Sequence, residues 1–318
     1  MTREGEEVAT LVMKEKPKGR FRRWFGSNGL LRPYFYLLPH AVFFFMFLVY
    51  PIFKGFYISL TEWDIFANSG RFIGLGNYRL LFDPAAIQNV YFWQALRNTL
   101  IFVVISVPLL VLVALGLALL LTSRLSGRSV FRTIFFMPTA LTVSVVAVIW
   151  RWLLNVDHGF VNFLLEKVGI KGVPWLTSQP WAWISITIAT VWWTVGWNMI
   201  LLINGINGVP EEIYEASKID GANAWQRLLY ITLPCLRPVL LFVCITTVIA
   251  SFNLFGQPQL MTGGGPARST LPVMMQIYTE AWANYRMGPA GAMSYLTALI
   301  MIVFTVFQSK LFAQRADD

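Results

Sequence analysis

Residues 211–222 read EEIYEASKIDGA, a polar, helix-forming stretch between two long hydrophobic segments. Pro210, just before it, suits the first turn of a helix, because the N–H that proline lacks has no helical partner there. The three glutamates of the stretch place negative charge near the positive end of the helix dipole. Asp220-Gly221 predicts the end of the helix, since glycine readily adopts the left-handed conformation that closes many helices. The stretch therefore predicts a short helix outside the hydrocarbon core of a membrane.

A second short helix is predicted to follow, with Asn223 as its cap and Pro234 near its end. On the first helix, Ile213, Ala216 and Ser217 are spaced three to four residues apart and share one face. That face is apolar and small, which suits close docking in a groove of another protein. The pattern by itself also fits an ordinary amphipathic loop at the lipid interface.

Three short motifs in this region resemble the EAA loop of importer-type ABC transporter permeases. They are Glu215-Ala216-Ser217, Asp220-Gly221-Ala222 and Ile231-Thr232-Leu233-Pro234, with Ser217 where the commonest loop has a second alanine. The resemblance implies that residues 206–236 form a coupling loop that contacts a cytoplasmic ATPase dimer. It implies that the chain is not an enzyme and binds no cofactor, since ATP and Mg belong to the ATPase. The implied coupling residues are Tyr214, Glu215, Ala216, Asp220 and Gly221.

The composition is that of an integral membrane protein. The chain of 318 residues is 56% hydrophobic, 15% aromatic and only 13% charged, with a mean hydropathy of +0.59. A soluble domain carries roughly 25% charged residues. The formal net charge of +9 does not predict a nucleic-acid partner, because the basic residues cluster beside apolar runs rather than on a soluble domain.

The predicted fold is all-α, a polytopic membrane protein with six transmembrane helices, each covering the ~20 apolar residues that a span needs. The spans are predicted at 33–60, 99–122, 130–154, 182–205, 238–257 and 291–312. Lys and Arg mark the cytoplasmic side of a span, and they crowd the segment before the first one. Both termini and the EAA-like loop are therefore predicted to be cytoplasmic.

Two regions follow from these spans, a cytoplasmic basic tail at 1–28 and a transmembrane permease domain at 29–318. The first apolar run is too long for a signal peptide and lacks a cleavage site, so it is predicted to be retained as an anchor. The external connections, 61–98 and 258–290, carry many aromatic and few charged residues. That composition predicts short helices at the lipid headgroup level.

Residues 262–266 read TGGGP and lack the Gly-Lys-Ser/Thr of a phosphate-binding loop, which favours a flexible turn. The surrounding segment, 252–266, resembles the end of the penultimate span in carbohydrate-uptake permeases of the maltose-larger-subunit, glycerol-phosphate and lactose types. This resemblance implies the type I ABC importer permease fold in a prokaryotic plasma membrane. It also implies a second, different permease, an extracytoplasmic solute-binding protein, and a sugar or polyol substrate. Glycerol phosphate or another non-sugar solute remains an alternative.

A sugar pathway needs hydrogen-bonding groups and aromatic faces within the membrane, where polar residues are functional candidates. The fourth and fifth predicted spans supply them, with Trp192 as a further aromatic: Trp193, Trp197, Asn198, Ser251, Asn253 and Gln257. The same residue types also serve as interfacial anchors and as links between helices, so packing is the competing interpretation.

Other classes of membrane protein find less support in the sequence. A membrane enzyme needs a cluster of perturbed acidic or histidine groups, and an ion-coupled carrier needs buried carboxylates or broken paired repeats. The predicted spans contain neither. His40 and His158 are too isolated for a metal site, and Cys235 and Cys244 are predicted to be inert apolar residues.

Overall fold

A computed structural model describes residues 32–123 and 126–314 of the chain. The predicted tail at 1–28 lies outside the described residues. The chain divides into two compact units, one ending at Tyr57 and the other beginning at Ile58. In the first unit, helix α1 (Arg32–Phe44) continues through a π-helical turn, Phe45–Val49, into helix α2 (Tyr50–Ser59), which crosses the boundary.

The second unit contains a small β-hairpin and the remaining helices. The strands are β1 (Thr61–Asp64) and β2 (Ser69–Phe72). The helices are α3 (Gly76–Phe82), α4 (Ile87–Thr122), α5 (Arg128–Phe136), α6 (Val143–Leu153), α7 (Phe160–Lys167), α8 (Trp181–Asn207), α9 (Glu211–Ile219), α10 (Ala224–Arg227), α11 (Leu233–Phe252), α12 (Val273–Tyr278) and α13 (Met287–Gln314). Shorter helical turns connect several of them: Met137–Ala140, Leu228–Thr232, Pro258–Thr262 and Thr279–Ala283.

Length and hydropathy identify membrane spans close to those predicted. Five continuous helical stretches within the described residues qualify: Tyr36–Ser59, Ile87–Thr122, Trp181–Asn207, Ala224–Phe252 and Met287–Lys310. The sixth candidate is a bent pair, Arg128–Ala140 and Val143–Leu153, whose axes differ by 102°. The six apolar segments of the sequence are confirmed, but the predicted third span, 130–154, is broken rather than straight.

The break in the third span lies at Leu141 and Thr142, whose backbones are extended (ψ 147° and 153°). The carbonyl of Leu141 accepts a hydrogen bond from Trp193 Nε1 at 3.1 Å. A backbone carbonyl at membrane depth must be satisfied within the protein, and an indole from α8 meets that need. The largely apolar composition of 130–154 predicts one continuous span, although Pro138 inside it is a signal for a kink or break.

The hairpin corrects the all-helical prediction for the connection after the first span. Thr61 pairs with Phe72, and Asp64 pairs with Ser69, in antiparallel register. Asp64 Oδ1 accepts hydrogen bonds from the backbone N–H groups of Phe66 (2.8 Å) and Ala67 (3.1 Å), which stabilises the turn. The short helices predicted for the two connections are present as α3 and α12.

Small residues bring the central helices of the second unit together. Ala114 and Ala118 of α4 are fully buried in a cluster with Val195 and Met199 of α8 and Val243 of α11. Because lipid is as apolar as these side chains, close backbone approach rather than hydrophobic burial holds such helices together. The closest approach is at Gly196 of α8, where a Cβ would lie 2.3 Å from the Phe135 carbonyl oxygen.

Replacing Gly196 with alanine tests this contact. The added methyl would force α5 and α8 apart, and overpacking of this kind typically costs about 1–3 kcal/mol. We expect a lower thermal unfolding midpoint for the detergent-solubilised Gly196→Ala protein. The matched control is Gly116→Ala in α4, where a Cβ meets no atom within 4 Å. Since alanine has the higher helix propensity, that control should be neutral or slightly stabilising, and equal destabilisation of both variants would contradict the contact.

Candidate functional site

One cavity of about 590 Å³ lies within the second unit, between α4, α8, α11 and the bend of the third span. All six residues that the sequence predicted for a pathway line it: Trp193, Trp197, Asn198, Ser251, Asn253 and Gln257. Trp192 does not line the cavity, and its ring instead contacts Trp150 at a centroid distance of 5.9 Å. The structure therefore brings residues from two predicted spans into one site.

The wall formed by α8 is a stripe of polar and aromatic side chains. It carries Thr190, Trp193, Thr194, Trp197 and Asn198, which are spaced three and four residues apart and therefore share one helix face. Sequence reasoning did not include the two threonines. The same helical periodicity, applied to every polar residue of the span, predicts them.

The wall formed by α11 faces α8 and contributes Thr246, Thr247 and Ser251. Asn198 Nδ2 donates to Thr247 Oγ1 at 3.0 Å, which joins the two walls at the edge of the cavity. Ser251 Oγ lies 3.4 Å from Ser106 Oγ of α4. Thr246 and Thr247 were also missed by the sequence analysis, although Thr247 lies one turn before Ser251 on the same face.

A second break in a membrane span completes the cavity. Helix α11 ends at Phe252, and helical structure resumes at Gly256. Asn253 Nδ2 donates to the Ile249 carbonyl at 2.8 Å and so caps the end of α11. A Cβ at Gly256 would lie 2.5 Å from Val143 Cγ2, so the two breaks approach closely. Irregular backbone at membrane depth is found where it lines a cavity, and this arrangement follows that rule.

The glycine-rich segment after this break is held firmly by neighbouring helices. Gly263 and Gly264 adopt positive φ angles of 61° and 82°. Asn98 Nδ2 of α4 donates to the carbonyls of Arg268 (2.9 Å) and Leu271 (3.0 Å). Trp183 Nε1 of α8 donates to the Ser269 carbonyl at 3.0 Å. The predicted flexible turn is therefore an ordered segment anchored to both α4 and α8.

The loop between α9 and α10 has the geometry that its sequence predicts. Helix α9 ends at Ile219, and Gly221 adopts a φ of 78° with open space around its Cα. Asn223 and Gln226 form a reciprocal capping box at the start of α10. The predicted stop and cap are both confirmed. The second helix does not end near Pro234, however, because α10 continues through the Leu228–Thr232 turn into α11.

Three of the five predicted coupling residues lie on α9, and the other two, Asp220 and Gly221, lie in the turn after it. Glu215, Ala216, Asp220 and Gly221 are exposed, whereas Tyr214 is half-buried, and its hydroxyl lies 3.0 Å from Thr232 Oγ1. Ser217 is buried and donates its hydroxyl hydrogen to the Tyr214 carbonyl at 2.7 Å. The predicted single face is therefore divided: Ser217 packs inward, whereas Ile213 and Ala216 remain exposed.

The chemistry of the cavity wall is that of binding rather than catalysis. Its described lining consists of indole and phenyl rings, hydroxyls, amides and aliphatic groups, with no ionisable side chain for acid–base work. Among the described residues, no cluster of His, Cys, Asp or Glu could hold a metal ion. Such a wall can hydrogen-bond and stack against a solute without changing it.

Comparison with known proteins agrees with this geometry. The family described as "Binding-protein-dependent transport system inner membrane component" matches residues 85–316. The lactose transport system permease protein LacF of Rhizobium radiobacter is 34% identical over 93% of this chain and 97% of its own length. The trehalose/maltose transport system permease protein MalF of Thermococcus litoralis is 33% identical, over 89% of this chain and 94% of its own.

A solved structure shares the fold. One chain of a bacterial alginate ABC transporter, crystallised with an alginate pentasaccharide-bound periplasmic protein, has a TM-score of 0.76 and 22% sequence identity. The match covers 93% of this chain and 96% of that one. The apolar helices, the family match and the curated relatives agree. The chain belongs to the binding-protein-dependent transport system inner membrane components, the multi-pass permease subunits of ABC importers.

Proposed function

We propose that this chain is the permease subunit of an ATP-driven importer for a sugar or sugar-like polyol, and that it forms one half of the translocation pathway. The observation that carries the proposal is the single cavity in which Trp193, Trp197 and Asn198 of α8 face Ser251 of α11. Pyranose rings are bound by aromatic faces and by hydroxyl and amide groups, which are the groups of this wall. The relatives that carry lactose and trehalose or maltose support the same class of substrate.

The proposed assembly has three kinds of protein partner. A second permease completes the pathway, a solute-binding protein delivers substrate from outside, and an ATPase dimer docks on the exposed face of α9. The periplasmic protein in the related alginate transporter supports the binding-protein partner. Within the chain, residues 29–318 are the proposed transmembrane permease domain, and residues 1–28 are its proposed cytoplasmic tail.

Coupling between ATP hydrolysis and substrate movement is proposed to run through the loop at 206–236. Movement of α9 would reach α11 through the covalent turn at Gly221 and through the contact between Tyr214 and Thr232. Because α11 carries Thr247 and Ser251 at its other end, displacement of its base shifts one wall of the cavity.

The first test concerns orientation in a prokaryotic plasma membrane. With Cys235 and Cys244 replaced by serine, Ser69→Cys in the exposed hairpin should react with an impermeant thiol reagent in intact cells. Ser123→Cys, which is exposed at the other end of α4, should react only after the membrane is permeabilised. The positive-inside rule predicts this difference, because the basic residues crowd the side of the N-terminus and of Ser123. Labelling of Ser123→Cys in intact cells would refute cytoplasmic termini.

The second test concerns ATPase coupling. If Glu215 makes a charged contact that the ATPase buries, Glu215→Ala should cost about 2–5 kcal/mol of binding and reduce ATPase co-purification. Glu212→Ala, on the first turn of the same helix and also exposed, is the matched control and should retain binding. Tyr214→Phe removes only the hydroxyl that contacts Thr232. We expect this variant to bind the ATPase but to lose transport stimulated by loaded binding protein.

Gly221→Asp strengthens the coupling test. A side chain at a φ of 78° costs roughly 1 kcal/mol and misaligns α10. Transport should fail although the substitution meets no neighbouring atom within 4 Å. Normal uptake by Glu215→Ala, Tyr214→Phe and Gly221→Asp together would show that this loop is not the coupling element.

The third test concerns the pathway wall. Trp197 is 58% exposed in the isolated chain and lines the cavity. Loss of an aromatic contact worth about 0.5–1.5 kcal/mol should reduce uptake by Trp197→Ala roughly 2–10-fold. Trp197→Phe should keep most activity. Trp192→Ala, on the same helix but outside the cavity, is the control for assembly. Equal uptake by the Trp197→Ala and Trp192→Ala variants would exclude Trp197 from the pathway.

A further inference from the structure

We propose that this half of the pathway accepts neutral polyhydroxylated solutes and excludes anionic ones, such as sugar phosphates, sulfonates and uronates. The inference rests on the proposed function, because it assigns a substrate class to the same cavity. It goes further by deciding between a neutral sugar and glycerol phosphate. The observation behind it is that most hydrogen-bond donors of the wall residues are already bonded to atoms of the protein.

The hydroxyl hydrogens of the wall are largely occupied within the protein. Four threonines donate to a carbonyl three or four residues earlier in the chain, at 2.6–2.8 Å: Thr139, Thr190, Thr194 and Thr246. A hydroxyl has a single hydrogen and two lone pairs, so each of these groups can offer the cavity only an acceptor. The indole N–H of Trp193 is likewise used by the Leu141 carbonyl.

The amides of the wall show the same bias. Each of the three donates one N–H to a protein atom: Asn198 to Thr247 Oγ1 (3.0 Å), Asn253 to the Ile249 carbonyl (2.8 Å) and Gln257 to Thr190 Oγ1 (3.4 Å). Their amide oxygens accept no hydrogen bond from the part of the chain that the structure describes. The donors left for a solute are fewer: the second amide hydrogens, the indole N–H of Trp197 and the Thr247 and Ser251 hydroxyls.

The backbone at the second break, between Phe252 and Gly256, adds no net charge to this wall. The carbonyl end of α11 stops at Phe252, and the amide end of the next helical segment begins at Gly256. The two ends carry partial charges of opposite sign. Because both contribute residues to the same wall, their electrostatic effects oppose each other. The described lining contains no Lys, Arg or His that would pair with an anion.

These features decide which solute the wall can hold. A sugar hydroxyl both donates and accepts, so it can give its hydrogen to the free amide and threonine oxygens. A phosphoryl, sulfonate or carboxylate group only accepts, so it can use only the fewer donors that remain, and no cation of the lining compensates the water it loses. Removing a charge from water without a charged partner is strongly unfavourable. The wall therefore distinguishes neutral from anionic solutes without recognising a particular sugar.

The test measures charge selectivity directly and needs no knowledge of the natural substrate. A Thr194→Cys variant, with the two native cysteines replaced by serine, is purified as the intact importer in detergent. Its reaction rate is measured with three methanethiosulfonates: the neutral methyl, the cationic trimethylammonioethyl and the anionic sulfonatoethyl reagent. Ser69→Cys in the exposed hairpin is the matched control, and using rate ratios cancels differences in thiol reactivity. Ser251→Cys, a smaller change on the facing helix, repeats the measurement.

We expect the anionic-to-neutral rate ratio to be about tenfold or more lower at both cavity positions than at Ser69→Cys, because a buried charge lacks compensation there. The cationic reagent, of similar size, should be slowed less. A ratio equal to that of the control, or equal slowing of cation and anion, would overturn the inference and leave the pathway intact. If no reagent reached either cavity cysteine, the cavity would not conduct solute, and the proposed pathway itself would be rejected.

Discussion

The hydrogen bond from the Trp193 indole to the Leu141 carbonyl is the contact on which the functional part of the structure depends. A membrane interior contains no water to satisfy a backbone group that leaves a helix. The third span nevertheless breaks at Leu141–Thr142, and the span formed by α11 breaks after Phe252. The fold tolerates both breaks because they meet at the same cavity, where Gly256 allows the chain to approach Val143. The polar lining, the broken helices and the close contact at Gly256 thus all follow from the need to satisfy backbone polar groups within the membrane.

A continuous helix joins the cavity to the loop between α9 and α10. Residues 224–252 form a single span of 29 residues that begins in the loop and ends at the cavity. At about 1.5 Å per residue, α11 with its 20 residues is ~30 Å long. Tyr214 contacts Thr232 at the base of this helix, and Ser251 lies at its far end. A rigid helix between the two positions provides a physical connection for the proposed coupling.

The hydrogen bonds inside the wall also bear on what the cavity can recognise. Threonine hydroxyls in membrane helices commonly donate to the preceding turn, which removes the cost of an unpaired hydrogen in an apolar medium. In this chain, the same bonds leave the oxygen atoms of Thr190 and Thr194, which line the cavity, available as acceptors. The same contacts therefore stabilise the helices and underlie the proposed preference for hydroxyl-bearing solutes. Selection of a particular sugar would belong to the solute-binding protein of the proposed assembly.

The sequence by itself determined the membrane class, the six apolar segments and the local structure around Gly221 and Asn223. These features depend on composition, on segment length and on interactions among residues a few positions apart. It also identified the six pathway candidates, because polar side chains in an apolar span are conspicuous. Tertiary structure decided which residues share the cavity. Periodicity places Thr190 and Thr194 on the same face of α8 as Trp193, but only the position of α11 opposite that face makes it a cavity wall. The break at Leu141 also depends on a partner distant in the chain, Trp193, and the sequence pattern did not predict that Ser217 is buried while Ile213 and Ala216 are exposed. A periodic pattern cannot specify such contacts, because it records which face a residue occupies and not what that face meets.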